Sequence, residues 1–219
     1  MKIALIGATG FVGTAVLAEL LQRKHHVTAL VRDTAKLTAQ PGLTAAVADA
    51  YDSKSVAAAI DGHDAVISAF NPGWNDADLY NNFIRGSSAI ERGVEASGLK
   101  RLLVVGGAGS LFVAPGVQLV DTPSFAEHVP ANIVPGAHAA RDALTTMRNN
   151  ERLDWTFLCP PAFLAPGERT GSYHVGGENL LMAGDKPARI SVADFAIAVV
   201  DEIETPRHVR ARFTVATKE

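Results

Sequence analysis

Cysteine is nearly absent from this chain: Cys159 stands alone in 219 residues. One thiol permits no intramolecular disulfide and no cysteine-built zinc site. An excess of one charge is missing too. Twenty Lys and Arg against 23 Asp and Glu leave a net charge of −3, and the basic residues are scattered, which argues against a nucleic-acid or anionic-membrane surface. No apolar run reaches the length of a bilayer span. The amino terminus lacks the basic head and small-residue cleavage site of a secretory signal. The seven histidines show no metal-ligand spacing. These absences lead us to expect a cytoplasmic protein that binds a small molecule, with no metal, nucleic acid or membrane partner and with its oligomeric state open.

What is present is an alternation of short β-branched runs with helical stripes, the pattern of βαβ units. It predicts strands over Lys2–Gly7, His26–Val31, Leu43–Ala48, Ala65–Ala69, Arg101–Val105, Trp155–Cys159 and Arg212–Val215. Helices are predicted over Phe11–Arg23, from Leu79 to a stop at Gly98, and over Ala137–Asn149 and Ala193–Ile203. The expectation is an α/β protein: one doubly wound Rossmann domain over residues 1–219, with a parallel sheet of about seven strands and helices on both faces. Gly106–Pro135 and Pro160–Ile190, rich in Gly and Pro, leave the carboxyl edge of the sheet, where ligands bind, and should wall a substrate pocket, with 160–190 as its lid.

The strongest motif is Gly7-Ala8-Thr9-Gly10-Phe11-Val12-Gly13. It follows a strand directly and opens an amphipathic helix, which is the context that gives a glycine triplet meaning. Gly7 permits the tight turn, Gly10 admits a pyrophosphate to the backbone amides, and Gly13 lets the helix pack against the sheet. The motif predicts a dinucleotide site.

The second strand ends in Val31-Arg32-Asp33. An NAD-preferring site places an acid there for the ribose hydroxyls, whereas Arg32, with Lys36 one turn on, suits a 2′-phosphate. NADPH is therefore the expected cofactor, with NADH as the alternative. Asp33 is either a helix cap or, after a shift of one residue, a ribose ligand. Asp49, after the third strand, either meets the adenine amino group or caps the helix beginning near Ser53.

Together, Gly7–Gly13, Val31–Asp33, the strand Asp64–Phe70 and the segment Arg189–Phe195 resemble the atypical short-chain dehydrogenase/reductases. Within them the chain is most similar to the NAD(P)H-binding, NmrA-like branch, which holds biliverdin reductase B and the bacterial NADH-flavin reductases. The likeness extends through Gly106–Ser110, Pro115-Gly116, Pro160–Phe163 and Pro166–Gly171. It implies that Ser68, Ala69 and Phe70 line the cofactor, that Gly106 and Gly107 lie beside the nicotinamide, and that Pro160 to Phe163 close over its carboxamide.

The departures matter as much. Typical members use a Ser after the fifth strand and a Tyr-x-x-x-Lys pair on the next helix. Here Gly106 and Gly107 fall in the serine region, Val134 at the tyrosine position and His138 at the lysine position. Reduction of a simple ketone makes a basic alkoxide that needs a proton donor, whereas a flavin or quinone spreads the charge over a conjugated ring. The expected function is an NAD(P)H-dependent reductase with a flavin, quinone or similar acceptor as substrate. A cofactor-sensing regulator without turnover and a nucleotide-sugar epimerase or dehydratase are the alternatives. His138 and Ser110 are the candidate catalytic residues. Phe70, Trp74 and Phe112 are candidates to stack on a planar substrate, or else pack the core. Glu168, Arg169, Tyr173 and His174 either recognise substrate or form a solvated hairpin, the second being the reading adopted, and Cys159 is read as a small buried hydrophobe.

Overall fold

The computed structural model describes residues 1–218. The first half alternates strand and helix: β1 (Lys2–Ile6), α1 (Phe11–Gln22), β2 (His26–Val31), β3 (Leu43–Val47), α2 (Ser53–Ala59), β4 (Ala65–Ser68), α3 (Leu79–Ala96) and β5 (Arg101–Val105). A short hairpin, β6 (Phe112–Ala114) and β7 (Val117–Gln118), then leads to α4 (Pro123–His128) and α5 (Val134–Met147). The last third holds β8 (Asp154–Cys159), β9 (Phe163–Ala165), β10 (Tyr173–Gly176), β11 (Met182–Ala183), β12 (Lys186–Pro187) and β13 (Arg189–Ser191). It closes with α6 (Val192–Glu204) and β14 (Ala211–Thr217).

The main sheet runs β10-β14-β8-β5-β4-β1-β2-β3. Seven of its strands are parallel, and β10 pairs antiparallel to β14. The strand order reverses between β1 and β4, where Ile6 faces Ser68, and this reversal opens a crevice at the carboxyl edge. Successive side chains of each strand point to opposite faces. Ile3 and Leu5 pack with Val16, Leu20, Phe195 and Val199 of α1 and α6. Ala4 and Ile6 pack with Val56, Ile90, Val94 and Leu144 of α2, α3 and α5. Each fully buried Leu or Ile contributes roughly 1.5–3 kcal/mol, so both faces of the sheet are needed for a stable core.

Local signals set the element ends. Gly98 adopts φ +79° just beyond α3, a left-handed stop that other residues resist. Ser191 caps α6 by accepting from Asp194 N–H at 3.0 Å, and Thr122 caps α4 with Pro123 in its first turn. The predicted strands correspond to β1–β5, β8 and β14, and the last runs two residues further, to Thr217. The eighth strand, β10, adds an edge that the apolar pattern did not announce.

The segment 160–190 is laced to the body. β9 pairs with β13, and β10 with β14. Arg169 sets two nitrogens on the buried Glu19 of α1, each at 2.9 Å. Thr170 Oγ1 and Gly171 N–H donate to the buried Asp194 of α6. Tyr173 donates to Asp201 at 2.5 Å. The expectation of a solvated hairpin is therefore corrected for Arg169 and Tyr173, which anchor the segment. Arg169 and Arg23 hold the Glu19 carboxyl below the usual carboxylate range, the Arg169 hydrogen bond being the largest cause. Burial and the Asp201 hydrogen bond push the Tyr173 phenol up.

Candidate functional site

The glycine turn shows three different reasons for glycine. Gly7 adopts φ +81°, and a Cβ there would lie 2.3 Å from the Ala69 carbonyl oxygen. A Cβ on Gly13 would lie 1.9 Å from the Gly7 carbonyl oxygen, so α1 can sit on the turn only without one. Gly10 is the exception. Its backbone is ordinary, at φ −82° and ψ 173°, and a Cβ would meet only the Gly7 oxygen, at 3.4 Å. Nothing in the protein requires glycine there. Its bare α-carbon keeps clear the space before the first turn of α1, whose amides have no side-chain cap. That cradle fits a pyrophosphate, held by backbone N–H groups and the helix dipole.

From this cradle two hollows extend, sharing Gly10, Ala69, Phe70 and Asn71. The first, of 230 Å³, lies between the ends of β1, β2 and β3. Gly7 and Thr9 line it, as do Arg32, Asp33 and Lys36, all three exposed, and Asp49. The Asp33 carboxylate accepts from Ala35 N–H at 3.0 Å and caps the short turn Thr34–Lys36. Asp49 accepts from Tyr51 N–H at 2.9 Å, while Asp52 caps α2 through Lys54 N–H. Of the two readings of Asp49, the helix cap is thus the one the structure lacks. Tyr51, which the sequence reading did not single out, completes the wall. Its ring meets Phe70 edge-on with centroids 5.6 Å apart and carries the Arg85 guanidinium 4.3 Å from its centroid.

The second hollow, of 520 Å³, is within the range of small-molecule pockets. Phe11, Val12, Gly106, Gly107 and Pro160 line it, together with Trp74. Gly106 has a local reason for lacking a side chain, since a Cβ would lie 2.7 Å from Cys159 Sγ. The stripe that faces the hollow is Ile133, at the N-cap of α5, with Gly136, Ala137 and Ala140 on the helix. Both gaps of four in that stripe are apolar, so neither supplies a phenol and an amine.

Several predicted residues stand elsewhere. Val134 and His138 are on another side of α5, because a displacement of one residue turns a helix by about 100°. Ser110 is 2% exposed and lies beneath the floor, donating to the Gly107 carbonyl at 3.0 Å. It holds the Gly107 turn in place and does not reach the hollow. Ser68 is buried one residue before the shared wall. Phe163 turns outward, 58% exposed, into a separate groove beside Met182 and Ile190, while Pro161, Ala162 and Leu164 face the hollow. Phe112 is also outside, under the guanidinium of Arg212. That arginine is fully buried, with Nη1 on the Ser110 carbonyl and Nη2 on the Glu178 carbonyl. Cys159 is buried, and burial raises its thiol pKa. His128, at the end of α4, lines the hollow instead. No motif spacing marked it, because α4 lies in an irregular stretch.

A doubly wound sheet with a glycine cradle at its strand reversal defines a Rossmann dinucleotide-binding protein. Comparison with known sequences agrees: the profile of the NAD(P)H-binding family matches residues 7–203, and the chain belongs to this family, within the atypical, NmrA-like short-chain dehydrogenase/reductases. YwnB of Bacillus subtilis (strain 168) is 39% identical over 100% of this chain and 99% of its own. A Bacteroides thetaiotaomicron structure provisionally named an epimerase is 41% identical, covers 100% of this chain and 97% of its own, and has a TM-score of 0.90. A Streptococcus pneumoniae TIGR4 structure provisionally named an NADH-flavin reductase is 34% identical over 100% of both chains, with a TM-score of 0.83. These findings support a nucleotide-binding, oxidoreductase-like role. Among the described residues no helix is long and apolar enough to cross a membrane.

Proposed function

We propose that this protein is an NADPH-dependent reductase of a flavin, quinone or similar conjugated acceptor. The observation that carries this reading is the join between the two hollows: a cradle for a dinucleotide opens directly into an apolar cavity without a phenol–amine pair. The first-turn amides of α1 would hold the pyrophosphate, and Arg32 with Lys36 would meet the 2′-phosphate. When bound, the dihydronicotinamide supplies a hydride. The chain contributes orientation and water exclusion, through Phe11, Val12, Leu164 and the small residues of α5. A conjugated acceptor needs no strong acid from the protein, which matches this lining. A sugar nucleotide would find few hydrogen-bonding side chains here, so epimerase chemistry is the weaker reading. The setting is the cytoplasm, where the lone thiol stays reduced.

The test is NADPH oxidation by the purified protein with FMN, riboflavin and a series of quinones, alongside calorimetry with NADPH and NADH. We expect turnover with at least one conjugated acceptor and tighter binding of NADPH. Tight, equal binding of oxidised and reduced cofactor with no turnover on any acceptor would instead make the protein a sensor.

A further inference from the structure

The chemical character of the acceptor can be narrowed from the cavity wall, an inference that rests on the reductase reading. Among the described residues lining the 520 Å³ cavity there is no lysine, arginine, aspartate or glutamate. Its polar side chains are Asn71, Trp74 and His128. The nearby cation of α5, Arg141, is committed to Asp121 at 3.0 Å and to Asp142. Arg32 and Lys36 lie in the other hollow, where they suit the cofactor. A phosphate dianion drawn in among Phe125, Val129, Pro130 and Ile133 would lose water and gain no fixed cation.

His128 supplies the complementary half of the argument. It is exposed at the end of α4, and its Nδ1 lies 2.8 Å from the Ser124 carbonyl oxygen. A carbonyl only accepts, so Nδ1 carries the hydrogen, and Nε2 is the ring nitrogen left for a ligand. In the neutral imidazole Nε2 is then an acceptor, open to an N–H or O–H of the ligand. Phe70 and Trp74 bring aromatic surface to the same wall, which suits a flat ring.

We propose that this cavity takes an uncharged, flat acceptor, a quinone or a flavin ring without its phosphate, and that His128 Nε2 accepts a hydrogen bond from a ring that carries an N–H, as a flavin does. The specificity is set by what the wall cannot neutralise as much as by what it can contact.

The test is a binding measurement that needs no turnover. Trp74 is 47% exposed in the cavity whereas Trp155 is buried, so quenching of Trp74 fluorescence reports occupancy, with Trp74→Phe as the control for signal origin. Titrations in the presence of oxidised NADP use menadione, riboflavin and FMN. Menadione and riboflavin should both bind, and FMN at least about tenfold more weakly than riboflavin, the effect of a phosphate left without a cation. His128→Ala should weaken riboflavin by about five- to tenfold and leave menadione, which has no N–H or O–H to give, within about twofold; His128→Gln should restore part of the riboflavin loss, at unchanged melting temperature. FMN binding as tightly as riboflavin would overturn the proposal. So would an FMN preference that vanishes in His128→Ala, since His128 would then be reading phosphate, and so would a failure of all three rings to bind. Discrimination in binding with no NADPH oxidation on any acceptor would sink the reductase reading while leaving the cavity's preference intact.

Discussion

The two hollows on either side of Gly10 are built on opposite plans. The cofactor side is made of backbone: a glycine turn, uncapped amides and a helix dipole, with Arg32 and Lys36 standing exposed at its rim. The second hollow is walled by apolar side chains, Phe11, Val12, Phe70 and Phe83 from the first half and Phe125, Val129, Ile133 and Leu164 from later segments, and its charges stand behind the wall. Arg169 on Glu19, Thr170 and Gly171 on Asp194, and Arg212 on Ser110 tie those segments down from outside. Backbone recognition tolerates few substitutions, because it depends on atoms being missing. A side-chain wall can change residue by residue as long as its fastenings hold. The contrast explains how one fold keeps its coenzyme site while its second ligand varies.

The sharpest way to break that comparison is to add one methyl group at two glycines. Gly13→Ala puts backbone against Cβ and should lower the melting temperature by roughly 5–10 °C, with dinucleotide binding weakened at least about 100-fold by calorimetry. Gly10→Ala should leave the melting temperature within about 1 °C yet weaken binding at least about tenfold, because the methyl enters only the space reserved for pyrophosphate. If both variants lose stability equally, Gly10 serves the fold and the cradle argument is wrong.

Arg32→Ala comes next in size. It should weaken NADPH about 10- to 100-fold and NADH by about threefold or less, one charge-assisted bidentate contact being at stake. Equal losses would show that Arg32 does not read the 2′-phosphate.

The fastenings behind the acceptor wall predict an acid response. Because the folded-state pKa of Glu19 is depressed, its stabilising contribution is complete above the ordinary value near 4.5 and is lost as pH falls through the lowered one. Glu19→Gln should lower the melting temperature at pH 7 by roughly 3–6 °C. Scanned against pH, the gap between the two proteins should narrow below about pH 4.5. A gap that stays constant would mean that the carboxylate charge is not what Arg169 and Arg23 hold. The smallest effect belongs to His138→Ala, where kcat/KM should stay within about twofold. A loss of more than tenfold would return His138 to the reacting centre.

The coenzyme half was largely legible in the sequence for the same reason that it resists change. Strands buried on both faces read as continuous apolar runs, so β2 and β5 are predicted at their observed limits. The turn at Gly7 writes its geometry into residue identity. The acceptor half was less legible. β10 is half exposed, with His174 and Val175 outward, and its pairing partner lies about forty residues on, so no periodicity reveals it. The placement of His138 rested on counting along a helix, where one residue decides which way a side chain faces. Buried partners such as Arg212 and Ser110 look like surface or catalytic chemistry until the contacts show where they point.

Strand β9 carries a last consequence. Phe163 looks outward and Leu164 inward, so a partition one backbone thick separates the second hollow from the outer groove. Alternate positions along this divider can be altered independently: a change at Leu164 redraws the inner room, and a change at Phe163 redraws the outer one. A library randomised at 163 and 164 together would therefore explore two separate binding repertoires with a single short cassette.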